Sequence, residues 1–146
     1  MPALVADRVL ALSQDRAFDL VVDIASYPEF IPGYTNVEVL GRGSDRIEVR
    51  QTVRYLGFES TFESSARFVR PTWITISCRH PLLSRLEIDW RFNAMANGCL
   101  VRVTVDYVIH GGLTTLASAP FATIALQAIM DAVSAKATAL SKTEDI

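Results

Sequence analysis

The sequence predicts an α+β domain in which a strongly curved antiparallel sheet closes over one long C-terminal helix. Three observations carry that prediction. A short capped helical segment follows a first strand, polar and apolar residues then alternate with a period of two up to about Tyr107, and apolar residues after Gly111-Gly112 return at helical spacing.

The first strand is expected over Leu4 to Leu12, with Val5, Val9 and Ala11 on one face and Arg8 on the other. In "SQDRAFDLVVDIASYP", Ser13 suits an N-cap and Asp15 the first turn. Phe18, Val21, Val22 and Ala25 form the apolar stripe. Pro28 should stop that helix, because the residue before a proline is pushed out of helical backbone.

The strands follow from their alternation. "RIEVRQTVRY" sets Ile47, Val49, Gln51, Val53 and Tyr55 against Arg46, Glu48, Arg50, Thr52 and Arg54. "GFESTFESSARF" sets Phe58, Ser60, Phe62, Ser64, Ala66 and Phe68 against Glu59, Thr61, Glu63, Ser65 and Arg67. "WITISC" with Ile76, "RLEIDWRF" with Leu86, Ile88, Trp90 and Phe92, and "LVRVTVDYVI" with Val101, Val103, Val105 and Tyr107 complete a sheet with one wet face. Gly41/Gly43, Gly57 and Asn97-Gly98 mark turns. In the final helix Leu116, Phe121, Ile124, Ala125, Ala128, Ile129, Ala132 and Val133 share a stripe, and Pro120 is expected to divide a short lead-in from the main helix.

The chain has 146 residues, the size of a single domain, and "SKTEDI", residues 141–146, reads as a frayed tail. A formal charge of -2 offers no basic field for a phosphate backbone, so no nucleic-acid partner is expected. Cys78 and Cys99 lack metal-ligand spacing and no secretory signal is visible. The expectation is a cytoplasmic protein with buried thiols, no metal and no cofactor.

The inner faces of the five clearest strands carry no Asp, Glu, Lys, Arg or His. Their polar members, Gln51, Tyr55, Ser60, Ser64, Tyr107 and Cys78, can hydrogen-bond without titrating near neutral pH. Such a surface is either a packed core or the lining of a pocket. The inward serines and glutamine, which would cost about 1–3 kcal/mol each if left unpaired in a dry core, and the alanine-rich helix face favour the pocket. His80 and His110 fall in or beside loops. Glu87 and Asp89, like Glu59 and Glu63, are expected to pair outside with arginines on adjacent strands. No paired acid and base or activated nucleophile is visible on the inner side, so no catalytic residue is assigned.

Two stretches resemble a known family. "FDLVVDIASYPEFIPGYTNVEVL" is similar to a helix followed by Tyr-Pro-x-Phe-x-Pro, here Tyr27, Pro28, Phe30 and Pro32. "DWRFNAMANGCLVRVTVDY" resembles a Trp-x-Phe strand, a turn, and a strand ending near Asp106 and Tyr107. The chain is identified as a member of the START-like, helix-grip superfamily, in its coenzyme Q-binding and polyketide cyclase/dehydrase-like branch, which also holds ribosome-association toxins. His80-Pro81-Leu82 stands where the branch usually has Gly-Pro-Phe, which leaves the subgroup and its ligand open.

The resemblance implies six or seven strands gripping the last helix around a hydrophobic cavity, with Tyr27, Pro28, Phe30 and Pro32 as its rim or as a plug. The expected lining is Gln51, Val53, Ser60, Phe62, Ser64, Ile76, Ile88, Trp90, Val103, Val105, Tyr107, Phe121, Ile124, Ala125 and Ala128. The leading expectation is a non-catalytic carrier or chaperone of a hydrophobic small molecule, a polyprenyl quinone such as coenzyme Q or a related lipid. Transient membrane contact would come through the uncharged span 111–130. The alternatives are a polyketide cyclase or aromatase-like enzyme and a ribosome-associating interaction module.

Overall fold

A computed structural model describes residues 3–55, 57–81, 83–109 and 115–144, the side chains of 3, 55, 58, 115–122, 143 and 144 excepted. Strand β1 (Ala3–Leu10) leads into helix α1 (Gln14–Val22) and a 3-10 helix (Ile24–Glu29). Strands β2 (Tyr34–Arg42), β3 (Arg46–Tyr55), β4 (Phe58–Val69), β5 (Trp73–Arg79), β6 (Leu83–Met95) and β7 (Gly98–Ile109) follow, then helix α2 (Thr115–Glu144). The seven strands form one curved antiparallel sheet in the order β1-β7-β6-β5-β4-β3-β2. The expected α+β helix-grip architecture is present, with seven strands.

Local chemistry explains the elements. The Ser13 hydroxyl accepts from the Arg16 amide at 3.3 Å and Asp15 sits in the first turn of α1, as its capping sequence predicts. Pro28 does not end that helix. Helix α1 stops at Val22, six residues earlier, and Pro28 lies inside the 3-10 helix while Ala25 is exposed. A 3-10 helix tolerates proline better than an α-helix interior does because its segments are short. Helix α2 runs unbroken from Thr115 to Glu144, so Pro120 does not divide it, and it continues into the segment read as a tail.

The face of β1 is inverted relative to the sequence expectation. Ala6 and Leu10 are buried, whereas Val5 and Val9 are 55% and 56% exposed. Arg8 therefore lies on the inner side, where one guanidinium nitrogen donates to Gln127 Oε1 at 2.7 Å and Asp131 Oδ1 at 2.9 Å on α2. A charge is tolerated there because two acceptors meet it. Helix α2 runs closest to β1 and also touches α1.

The core is densest under α1. Phe18 is wholly buried and meets Phe68 and Phe92 edge-on, with ring centroids 5.8 and 5.4 Å away. Leu10, Ile74, Val101, Val103, Cys99, Met130 and Val133 are as completely enclosed. On the outer face, Arg50 bridges Glu38 and Glu63 on the two neighbouring strands, and Arg54 pairs with Glu59. Glu87 and Asp89 depart from expectation: they pair along their own strand with Arg85 and Arg91, whose side chains project to the same face two residues away.

Candidate functional site: the half-open end of the inner sheet face

Strand register sorts the inner face into rows. Phe68, Ile74, Trp90 and Val103 form one row; Ala66, Ile76, Ile88 and Val105 the next; Val49, Ser64 and Cys78 a third; Gln51 with Phe62 and Val53 with Ser60 lie further along β3 and β4. Burial changes along these rows. Ile74, Val49 and Val103 are completely enclosed, while Val53, Ser60, Cys78, Ile88 and Val105, with Ala125 and Ala128 on α2, keep part of their surface accessible. Residues on the concave side of a sheet retain accessible surface only where nothing covers them fully. The end carrying Val53, Ser60 and Cys78 is therefore the half-open one, although Gln51 and Tyr107 beside them are buried.

Polar atoms concentrate at this end. Gln51, Ser64 and Tyr107 are about as buried as the core, at 5%, 3% and 4% exposure. The Ser64 Oγ and Tyr107 Oη atoms are buried without a hydrogen bond of good geometry. Burial pushes the Cys78 thiol up to about 11, with the neighbouring Ser64 hydroxyl offsetting part of the rise. Burial also raises the Tyr34 hydroxyl far above its ordinary value, against a smaller opposing contribution from its bond with Gln51. Desolvation lowers His80, whose ring lies 4.9 Å from that of Phe62. Each of these shifts favours the neutral form. The surface can donate and accept hydrogen bonds, and these shifts poise neither a proton carrier nor a thiolate nucleophile among its described residues. Among the described residues no group of three or more His, Cys, Asp or Glu is placed to hold a metal ion.

The aromatic stretch after α1 flanks this end. Tyr27 is 5% exposed and its hydroxyl donates to the Val21 carbonyl, one of the acceptors left over at the end of α1. Its ring meets Phe30 and Tyr34 edge-on at 6.0 and 5.4 Å. The Gly33 carbonyl accepts from the Arg54 amide at 2.7 Å, and Lys136 on α2 sits 5.9 Å over the Phe30 ring, so the segment is fastened to both β3 and α2. Pro28 and Phe30 are half-buried and Pro32 is exposed.

Of the expected lining, Gln51, Val53, Ser60, Phe62, Ser64, Ile76, Ile88, Trp90, Val103, Val105 and Tyr107 lie on the inner face, with Trp90 and Val103 in its closed half. Ile124 is 60% exposed. The Phe121 side chain and His110 lie outside the described residues. Tyr34 was not anticipated. Strict alternation back from Val39 and Val37 turns Thr35 inward, but a register shift between Tyr34 and Asn36 brings Tyr34 in instead.

Two surface clefts lie elsewhere. One of about 300 Å³ is lined by Arg16, Asp19, Asp23, Glu29, Phe30 and Lys136 among others; a second of about 380 Å³ lies between the β1–α1 connection and the β6–β7 turn. Only Phe30 is shared with the expected lining.

Residues 10–133 match the family described as polyketide cyclase / dehydrase and lipid transport. The chain belongs to that family. Among curated relatives it is 26% identical over 110 residues to the ribosome association toxin RatA of Vibrio cholerae, covering 75% of this chain and 76% of the toxin. Solved folds are closely similar. A START superfamily protein from Mycobacterium smegmatis superposes with a TM-score of 0.85 at 15% identity, over 94% of this chain and 98% of that one. The Zhui aromatase/cyclase of a Streptomyces strain superposes with a TM-score of 0.77 at 18% identity, over 94% and 93%. Family membership therefore rests on sequence, and the neighbours establish the shared fold. Among the described residues no helix is long and apolar enough to cross a membrane.

Proposed function

We propose that this protein is a non-catalytic carrier or chaperone for a hydrophobic small molecule, a polyprenyl quinone or related lipid, held between the open half of the inner sheet face and α2. The observation that carries this reading is the buried, unpartnered Tyr107 hydroxyl, with the buried Ser64 hydroxyl engaged only with the Cys78 thiol, on an otherwise apolar surface that stays partly accessible. In a finished core such groups are a cost; against a ligand oxygen they become hydrogen-bond partners. The apolar part of the ligand needs only burial, at about 0.8 kcal/mol for each methylene removed from water. Ala125 and Ala128 on α2 present small, half-buried side chains toward this space.

Extraction of the purified protein with organic solvent followed by mass spectrometry tests the reading, together with titration by a short-tailed quinone. A co-purifying quinone or lipid and saturable binding are expected. Absence of both refutes it. The toxin relatives favour a second reading, association with ribosomal particles through the outer sheet face; co-sedimentation of this protein with ribosomal subunits would support it.

A further inference from the structure

We infer that the site selects ligands whose polar head is uncharged, a ketone, quinone or alcohol oxygen on an apolar chain, and excludes the carboxylates of free fatty acids. The inference rests on the carrier reading above and narrows it to a class of head group.

The argument comes from which groups can meet a ligand at the open end. Hydrogen-bonding side chains arrive from four strands there: Gln51 on β3, Ser60 and Ser64 on β4, Cys78 on β5 and Tyr107 on β7. Tyr34 joins them from β2. All are uncharged, and burial holds the Cys78 thiol and the Tyr34 hydroxyl in their protonated forms. Among the described residues, the cations near the inner side are already engaged. Arg8 is bound to Gln127 and Asp131 of α2, and lies in register with Val101 in the closed half of β7. Lys136 stands over Phe30 in the surface cleft that also holds Asp19, Asp23 and Glu29. His80, beside Phe62, is shifted toward its neutral form.

Among the described residues, a carboxylate entering this end would lose its water and meet no free cation. Desolvation of an unpaired charge is far more costly than desolvation of a carbonyl or hydroxyl. A ketone or quinone oxygen accepts from the Tyr107 hydroxyl, which otherwise lacks a partner, and from Ser64, whose hydroxyl meets only the Cys78 thiol. The selection is made by what the walls lack as much as by what they offer.

Calorimetric titration of the full chain with lauric acid, dodecanol and methyl undecyl ketone, each below its aggregation limit at about pH 8 where the acid is ionised, separates the outcomes. The ketone and alcohol should bind at least about tenfold more tightly than the acid. Equal or tighter binding of the acid overturns the charge selection and leaves the carrier reading standing. Failure of all three overturns the carrier reading and this inference with it. Val53→Lys, which sets an ammonium on the half-open surface opposite Ser60, should raise the affinity for lauric acid relative to the ketone. A folded Val53→Lys protein that still rejects the acid refutes the inference, because missing positive charge would then not be the cause.

Discussion

Arg8 on the first strand and Asp131 on the last helix stand 123 positions apart in sequence and 2.9 Å apart in space. The same guanidinium nitrogen satisfies Gln127, and the Arg8 side chain is the more enclosed partner, 29% exposed against 73% for Asp131. The pair fastens the edge of the sheet to the helix it grips. Arg8→Ala should cost about 1–2 kcal/mol, since it strips the partner from a part-buried amide oxygen and removes the packed arginine stem. Asp131→Ala should cost under about 1 kcal/mol, because an exposed carboxylate is readily replaced by water. Urea denaturation of the two variants checks this; equal losses would mean that the ion pair alone, and not Gln127 and packing, holds the seam.

That contact also shows where sequence reading stops. Strands β3, β4, β6 and β7 were legible because charges fall on alternate positions and leave one unambiguous apolar face. In β1 both faces carry apolar residues and both carry a charge: Asp7 points out to Arg102, while Arg8 faces inward toward acceptors on α2, a cause no local pattern contains. The end of α1 was misplaced for a related reason: Pro28 is compatible with the 3-10 helix that follows, so proline marked a change of helix type poorly. Strand β2 is interrupted by two register shifts, which hid Tyr34 within the stretch expected to serve as a connection. The polar positions of the candidate site, by contrast, could be named from alternation alone, because Gln51, Ser64 and Tyr107 interrupt apolar faces. Which hydroxyls lack partners depends on distances between strands and could not be read in advance.

The β6–β7 hairpin approaches β1 too closely for a side chain at Gly98. A Cβ built there would lie 2.3 Å from the Leu10 carbonyl oxygen, and backbone cannot move aside as a flexible side chain can. Gly98→Ala should therefore destabilise the fold by about 1–3 kcal/mol, the range for overpacking. Gly57, whose Cβ would meet nothing within 4 Å but whose φ is +83°, provides the contrast. Gly57→Asn should be nearly neutral, since asparagine tolerates left-handed backbone. A Gly98→Ala protein as stable as wild type in thermal and urea unfolding would contradict the close approach.

Ser64 and Tyr107 should behave unlike ordinary buried residues. The Tyr107 hydroxyl is buried without a partner, so Tyr107→Phe removes a desolvated group and no native hydrogen bond, whereas Ser64→Ala also removes the hydroxyl beside the Cys78 thiol. Tyr107→Phe is expected to leave stability unchanged or raise it by about 1 kcal/mol in the ligand-free protein, and Ser64→Ala to leave it nearly unchanged. Affinity for a quinone or ketone should fall in the same variants, by about three- to tenfold each, as one hydrogen bond is lost. Stability and binding thus move in opposite senses. A loss of more than about 1 kcal/mol in the ligand-free Tyr107→Phe protein would show that the hydroxyl serves the fold, and would remove the main support for a ligand oxygen at that point.

Cys78 sets the direction of the alkaline response. Its thiol is raised from 9.0 to about 11, chiefly by burial, so the folded protein holds its proton over a range in which the unfolded chain releases it. The stabilisation is complete below pH 9.0 and is lost as pH rises through about 11. The two limits imply a loss on the order of 2 kcal/mol across that window. Cys78→Ala should flatten the fall in unfolding free energy between about pH 8 and about pH 10.5. The burial-raised hydroxyls of Tyr27 and Tyr34 start from 10.0 and would still give the variant a slope at higher pH. The same burial makes the thiol a poor nucleophile near neutrality, since the thiolate is the reactive form, and alkylation should accelerate with pH as the thiolate appears. An undiminished slope in the Cys78→Ala protein would assign the alkaline loss to the tyrosines, and rapid alkylation near pH 7 would show a thiol far less desolvated than its place between Ser64 and the half-open end requires.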